Sequence, residues 1–480
     1  MNKHNSSTSS SREIVIFIIK MCFLFIFVLA FFYHAMPQYI GGYNSSMIDK
    51  AERIDSLSGP KIVLIGHSGL SFGIDSAKIE EAFQMPVVNM GLHGGLGNAF
   101  HEEMTRMNVV DGDIYVVSHS AFNDSDAIGN PVLAWTTIEN NPRLWRLLRK
   151  KDMIPMARAY PTYLRRILDL YSAGTGNKDG GGVYSRSAFN EYGDISLDRL
   201  GHSWKFEQVD VPEIGDVTIT RLNELNQWLE ERGATLLIAS YNIGNGHHTA
   251  PVDDYISFQE ELKNRLDCPV ISNYVDYMFP YMYFYDTTLH LTNEGTRVRT
   301  EQLISDLQRW MDTGDDAEVT MPDYDDVLYD CRIPQISDFK EYMLAIEEKK
   351  DTYAVFVSAK DEAVSGLDEN DFRLLDSIGV TKLTPDSVRS SYYGVCVGGK
   401  SDESVSNDFL ETEGTIDLIS YSIKSAGFDC GDTSSIVINR HEYSYNQRGL
   451  NIVVYNRETG RIVDCVSFDT YLPEKPAFRQ

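Results

Sequence analysis

Basic residues are scarce in this chain: 43 Lys and Arg stand against 70 Asp and Glu, a formal net charge of -27. Nucleic-acid binding needs Lys and Arg clustered over a surface to neutralise phosphates, so this balance excludes that partner class. Cysteine is scarce too. Six in 480 residues, with no C-x-x-C pair, exclude a disulfide-stapled scaffold and a structural zinc ribbon. Four of them, Cys331, Cys396, Cys430 and Cys465, lie in the last third, a number that allows two disulfides or none. The acidic run at residues 313–326 lacks the spacing of an EF-hand loop and reads as a solvated linker. His67, His93, His101 and His119 follow no metal-ligand spacing, so neither a metal nor an organic cofactor is expected.

Long apolar runs are few as well, but one matters. Residues 14–33 are apolar except for Lys20, enough to cross a bilayer as a helix. Lys20 lies near the N-terminal end, from where its ammonium reaches the headgroups, so the cost of a mid-membrane charge, about 3 kcal/mol, is reduced. No A-x-A cleavage site precedes Pro37, which favours an uncleaved signal anchor. Lys3, Arg12 and Lys20 put the positive end first. The N-terminus is therefore expected in the cytoplasm and the globular part outside, on a single-pass protein of the cell membrane. This divides the start of the chain into a tail (1–13), a span (14–34) and a polar, Ser-rich stalk (35–60).

Beyond residue 60, short apolar runs alternate with helical patterns. Runs at 61–65, 87–89, 114–117, 235–239 and 269–272 read as buried strands, and residues 76–83, 219–231, 255–266 and 294–311 as helices. Alternation of this kind implies an α/β fold, a parallel sheet with helices on both faces, over residues 61–312. Between 124 and 216 the alternation stops, and a segment with Trp135, Trp145, Arg143, Arg146, Arg149, Lys150 and Lys151 intervenes as an inserted cap. It is either an amphipathic helix packed on the sheet or a basic helix that lies near an anionic membrane surface or shapes the substrate cleft. After the linker, residues 327–480 are rich in short strands and read as a smaller, β-rich, sandwich-like domain.

The chemistry sits at the strand ends. The first strand breaks into Gly66-His67-Ser68-Gly69, a sharp turn that presents a hydroxyl. A serine needs a base to take its proton and a third group to orient that base. Asp286-Thr-Thr-Leu-His290, just before a helix, supplies both. An oxyanion needs donors: the Ser68 N–H, Gly91 after the second strand, and Asn123 after the third, with His119 or Ser120 as alternatives for that last position.

These segments resemble the SGNH/GDSL hydrolase superfamily: a serine after the first strand, a glycine after the second, an asparagine after the third, and a late Asp and His. The resemblance covers residues 60–312. Here the first block reads Gly-His-Ser rather than Gly-Asp-Ser, and three residues, not two, separate the acid from the base. Ser68-Gly-Leu-Ser-Phe72-Gly-Ile-Asp-Ser76 is most similar to membrane-anchored members that handle acyl groups on cell-surface polymers. The resemblance implies a three-layer α/β/α (flavodoxin-like) sheet, with Ser68 as nucleophile, Asp286 and His290 completing a triad, and Gly91 an oxyanion residue. It also implies an acylated, most simply O-acetylated, glycan as substrate, with a membrane-bound acyl-donor protein as partner if the enzyme is a pure transferase. The alternative is a surface glycan-binding or scaffold protein whose SGNH-like domain no longer turns over. Residues 353–472, with Asn446-Gln-Arg448-Gly449-Leu-Asn451 and Ser467-Phe468-Asp469-Thr-Tyr471, resemble the interleukin-like EMT inducer (ILEI) domain. That resemblance implies either a sugar-binding module or a spacer.

Overall fold

A computed structural model describes residues 11–35, 37–139, 141–176, 178–199, 209–246, 249–317, 323–417 and 419–479. Most of the expected tail and the middle of the acidic linker lie outside these residues. Helix α1 (Ser11–Ala35) contains a stretch, Ser11–Phe31, long and apolar enough to cross a membrane. One such helix near the N-terminus is compatible with a membrane anchor or a signal sequence. The expected stalk is not one. A 3-10 turn at Tyr43–Ser46 leads into α2 (Met47–Ser56), whose Met47, Ala51 and Ile54 recur at i, i+4 and i+7 and are buried in the core. That spacing, visible in the sequence behind the serines, makes one apolar helix face that must be covered.

The strands of the first region are β1 (Ile62–Gly66), β2 (Val87–Asn89), β3 (Ile114–Ser118) and β4 (Thr235–Ile238), all parallel in the order β2-β1-β3-β4. Between them run α3 (Ser68–Ser71), α4 (Ser76–Phe83), α5 (Asn98–Glu103), α6 (Pro131–Ile138), α7 (Met153–Ala173) and α8 (Asp216–Glu230). The pleat sends Val63 and Ile65 to one face, into a core shared with α2, Phe100 of α5 and Leu222 and Leu225 of α8. Ile62 and Leu64 go to the other, against Ile79 of α4 and Leu303 and Leu307 of a later helix. Burial on both faces is why β1 reads as an unbroken apolar run. Each such side chain contributes about 1.5–3 kcal/mol.

A fifth full strand at 269–272 does not form. Only Val270 bridges Ile238, through bonds from the Ile238 N–H to the Pro269 carbonyl and from the Ile271 N–H to the Ile238 carbonyl, and on its outer edge Val270 bonds Asp316 and Ala317. The remainder of the region is β5 (Ile243–Asn245), α9 (Val252–Arg265), β6 (Met278–Pro280) and α10 (Asn293–Thr313), the last carrying Leu303 and Leu307.

After α11 (Asp323–Arg332) and α12 (Phe339–Glu348) comes one β-rich sheet. Its strands are β7 (Tyr353–Asp361), β8 (Ser391–Val397), β9 (Lys400–Ser406), β10 (Leu410–Ile416), β11 (Ile419–Gly427), β12 (Thr433–Ile438), β13 (His441–Glu442), β14 (Gly449–Asn456), β15 (Arg461–Phe468) and β16 (Ala477–Phe478). Along one edge β7 pairs with β14. Along the other it pairs first with β8 and then, at Lys360 and Asp361, with β11, and this change of partner curls the sheet. The sheet does not stand apart. Tyr277, Phe279 and Tyr281–Tyr283 of the first region share a core with Ala354, Phe356, Val453 and Ile462 of the second. All six cysteines are free thiols.

Candidate active site

Ser68 opens the short helix α3 directly off the end of β1. The turn is tight: a Cβ on Gly66 would stand 2.5 Å from the Ser118 carbonyl oxygen, and one on Gly69 would meet the His67 ring. His67 caps the helix, its Nδ1 accepting the Gly69 N–H at 3.1 Å. Burial, with His101, His119 and Arg299 nearby, holds the His67 pKa well below the ordinary imidazole value, so the ring stays neutral and can accept. Under the turn, buried Arg299 of α10 donates from Nη1 to the Gly69 carbonyl at 2.6 Å and from Nη2 to Ser118 Oγ at 3.1 Å. Burial lowers its pKa to about 10, which leaves it a cation at neutral pH. One side chain thus ties the serine turn to β3.

The second half of the site is the loop between β6 and α10. It is closed by backbone bonds from Tyr285 N–H to the His290 carbonyl and from Thr292 N–H to the Tyr283 carbonyl. Inside it, Thr287 Oγ1 accepts the N–H groups of Leu289 and His290, a local side-chain turn of the kind threonine favours. The result places His290 Nε2 2.8 Å from Ser68 Oγ and His290 Nδ1 2.8 Å from Asp286 Oδ1. The imidazole is stacked on Phe72, ring centroids 4.0 Å apart and planes 10° apart, so its plane is fixed. The structure therefore brings Ser68, His290 and Asp286 into one hydrogen-bonded line across more than two hundred residues of chain.

A fourth member comes from the inserted segment. Tyr184 donates its hydroxyl to Asp286 Oδ2 at 2.6 Å and lies 3.1 Å from His290 Nδ1. Burial pushes the Asp286 carboxyl up, but the hydrogen bonds from His290 and Tyr184 outweigh it and hold the group below its ordinary value. Tyr184 itself is raised by burial and by that carboxylate, so it remains a donor. Nothing in the run Gly180-Gly-Gly-Val-Tyr184 signals this role. The contact is made because Ser185 bridges Gly42 and Arg186 N–H bonds the Gly41 carbonyl, which ties Tyr184 to the chain leaving α1.

Beside Tyr184 is a cavity of about 270 Å³ lined by Tyr39, Asn44, His93, Asn130 and Arg166 among others. Asn130 caps α6 through Oδ1, which leaves its amide NH₂ free of that task. The lining sets amide, hydroxyl and guanidinium groups among the apolar surfaces of Leu133, Tyr39 and Tyr43, a mixture that can take a ligand with both hydroxyls and apolar faces.

Two expected oxyanion residues are not where the sequence put them. The Gly91 N–H donates to Asn89 Oδ1 at 2.9 Å, and Ser71 covers the glycine so closely that a Cβ would stand 2.8 Å from Ser71 Oγ. Gly91 is therefore glycine for packing, not for donation. Asn123 lies on an exposed loop where its carbonyl accepts from Thr218 Oγ1, and no hydrogen bond joins its side chain to the Ser68 line. Its alternative His119 is buried on Glu102, which Arg221 also pairs. What remains is the half-buried alternative Ser120, directly after His119, and the Ser68 N–H, at the first turn of α3, where a helix provides no partner of its own. No family model, curated protein or solved structure matches this chain.

Proposed function

We propose that this chain is a membrane-anchored, extracytoplasmic serine esterase or O-acyltransferase of the SGNH type, acting on O-acyl, most simply O-acetyl, groups of glycans. The observation that carries the reading is the line Ser68 Oγ, His290, Asp286, each step at 2.8 Å, with the imidazole plane held by Phe72. His290 Nε2 takes the proton as Ser68 Oγ attacks the acyl carbonyl, while the Ser68 N–H faces the developing oxyanion. Collapse leaves an acyl-Ser68 ester and passes the proton from His290 to the departing oxygen. Water or a sugar hydroxyl, deprotonated by the same imidazole, then releases the acyl group and restores the serine. Asp286 holds the reactive tautomer and stabilises the imidazolium.

The cavity beside Tyr184, with hydrogen-bonding groups set among aromatic and apolar walls, supports a sugar as the moiety bound, and α1 supports a position at the membrane surface. The C-terminal sheet is proposed to be an ILEI-like module that backs the Asp286–His290 loop. The test is acetate release by the full chain in detergent from p-nitrophenyl acetate and from an O-acetylated polysaccharide, with Ser68→Ala as control. Release that depends on Ser68 is expected. No release from either substrate by folded protein overturns the reading.

A further inference from the structure

A second, more strongly apolar groove lies on the side of α6 and α7 away from the Tyr184 cavity. It is bounded by Phe25 and Leu29 of α1 on one side and by Trp135, Trp145, Ala157 and Leu164 on the other, and encloses about 930 Å³. That is ample for a hydrocarbon chain. Tyr160 of α7 donates its hydroxyl to the Leu29 carbonyl at 2.9 Å and so fixes α7 alongside α1.

Residue positions set the depth. At about 1.5 Å per residue, Phe25 is about 9 Å inside the end of the apolar stretch at Phe31. If α1 crosses a bilayer, the groove wall therefore lies among outer-leaflet acyl chains, close under the headgroups. Helix α7 is built for that depth. Its Met156, Tyr163 and Ile167 face the protein core, whereas Met153 and Ile154 at its start are 44% and 63% exposed.

Charge supplies the other half of the argument. Residues 142–173 carry eight basic and two acidic side chains, net +6, in a chain of net charge -27. Arg146, Arg149 and Lys151 are paired with Asp55, Asp126 and Asp152. Arg143, Lys150, Arg158 and Arg165 are exposed and make no ion pair among the described residues. Arg158 and Arg165, seven residues apart, form a stripe next to Ala157 and Leu164. Apolar groove and unpaired cations together match the two ends of one molecule.

We infer that the groove between α1 and α7 holds an acyl chain of an anionic phospholipid, with Arg143, Arg158 and Arg165 at its phosphate. The inference rests on α1 being a membrane anchor. It gives the cap a second role: one side of α6 and α7 lines the Tyr184 cavity, through Leu133, Thr136 and Arg166, and the other seats the lipid.

The test uses the full chain in nanodiscs of phosphatidylcholine and phosphatidylglycerol, with bromine on the acyl chains of one lipid at a time. Bromine quenches tryptophan on contact. Brominated phosphatidylglycerol is expected to quench more than the same mole fraction of brominated phosphatidylcholine, and the extra loss is expected to shrink in Trp145→Phe and to disappear when Trp135 is replaced as well. Equal quenching by both lipids, or none, overturns the inference. Native mass spectrometry of the wild-type chain released from the same discs needs no variant. One retained phosphatidylglycerol is expected; a bare chain, a retained neutral lipid or a retained polypeptide overturns it. A chain that never enters the membrane fraction refutes the anchor itself, which is distinguishable from a membrane-bound chain that shows no selective quenching.

Discussion

The serine turn and the acid–base loop meet at 2.8 Å but are held by different means. Ser68 is fixed from within its own sheet, by the end of β1, the close Gly66–Ser118 approach and the Arg299 guanidinium beneath. Asp286 and His290 sit on a loop braced from two foreign directions. Its aromatic approach, Tyr277 to Phe284, is packed under the C-terminal sheet, where Tyr283 Oη accepts the Ile462 N–H at 3.1 Å. Its carboxylate is held by Tyr184 from the cap. The lesson is that the strand-end serine is rigid by local construction, whereas the His290–Asp286 loop depends on tertiary packing and is the half more open to adjustment.

The largest expected effect removes the orienting group: Asp286→Asn should lower kcat by about 10⁴-fold with the fold intact, measured by ester hydrolysis beside circular dichroism. Next, Phe356→Ala, in the core shared by the C-terminal sheet and the loop, should cost about 3–5 kcal/mol. Amide exchange should then rise over residues 277–291 while β1 stays protected; uniform acceleration would erase the distinction between the two halves. The reciprocal change, Gly66→Ala, should cost about 1–3 kcal/mol through overpacking against Ser118 and Leu70 and should perturb the serine turn first.

The smallest effect sharpens the comparison. Tyr184→Phe should lower kcat about 10-fold, near 1.4 kcal/mol. It should also move the acid limb of the pH profile upward, because Asp286 loses one of the bonds holding its pKa down. The sign for stability is the same. A depressed carboxyl contributes stability above its unfolded value, near pH 4, and that contribution is lost as pH falls through the folded value. With less depression, Tyr184→Phe should lose less stability on acidification than wild type.

Ser68, Asp286 and His290 were legible because each sits beside a local signal: a strand end, or a turn before a helix. Gly91 was misread because what takes its N–H, the Asn89 side chain two residues earlier, has the same one-dimensional appearance as a strand-end loop awaiting a ligand. Helix α2 was hidden by serines, although Met47, Ala51 and Ile54 carried the period. Tyr184 was not legible at all, since its position depends on a bridge to Gly42 more than a hundred residues away. Nor could sequence show that the C-terminal sheet backs the His290 loop rather than standing apart, because that core joins segments separated by as many as 179 residues, as between Tyr283 and Ile462.

The most direct test of the central claim is labelling of the full chain with a fluorophosphonate, followed by peptide mapping. The account predicts one phosphonate adduct, on Ser68, strongly reduced in His290→Ala. Folded protein that carries no adduct on Ser68, or that labels equally well without His290, would contradict it.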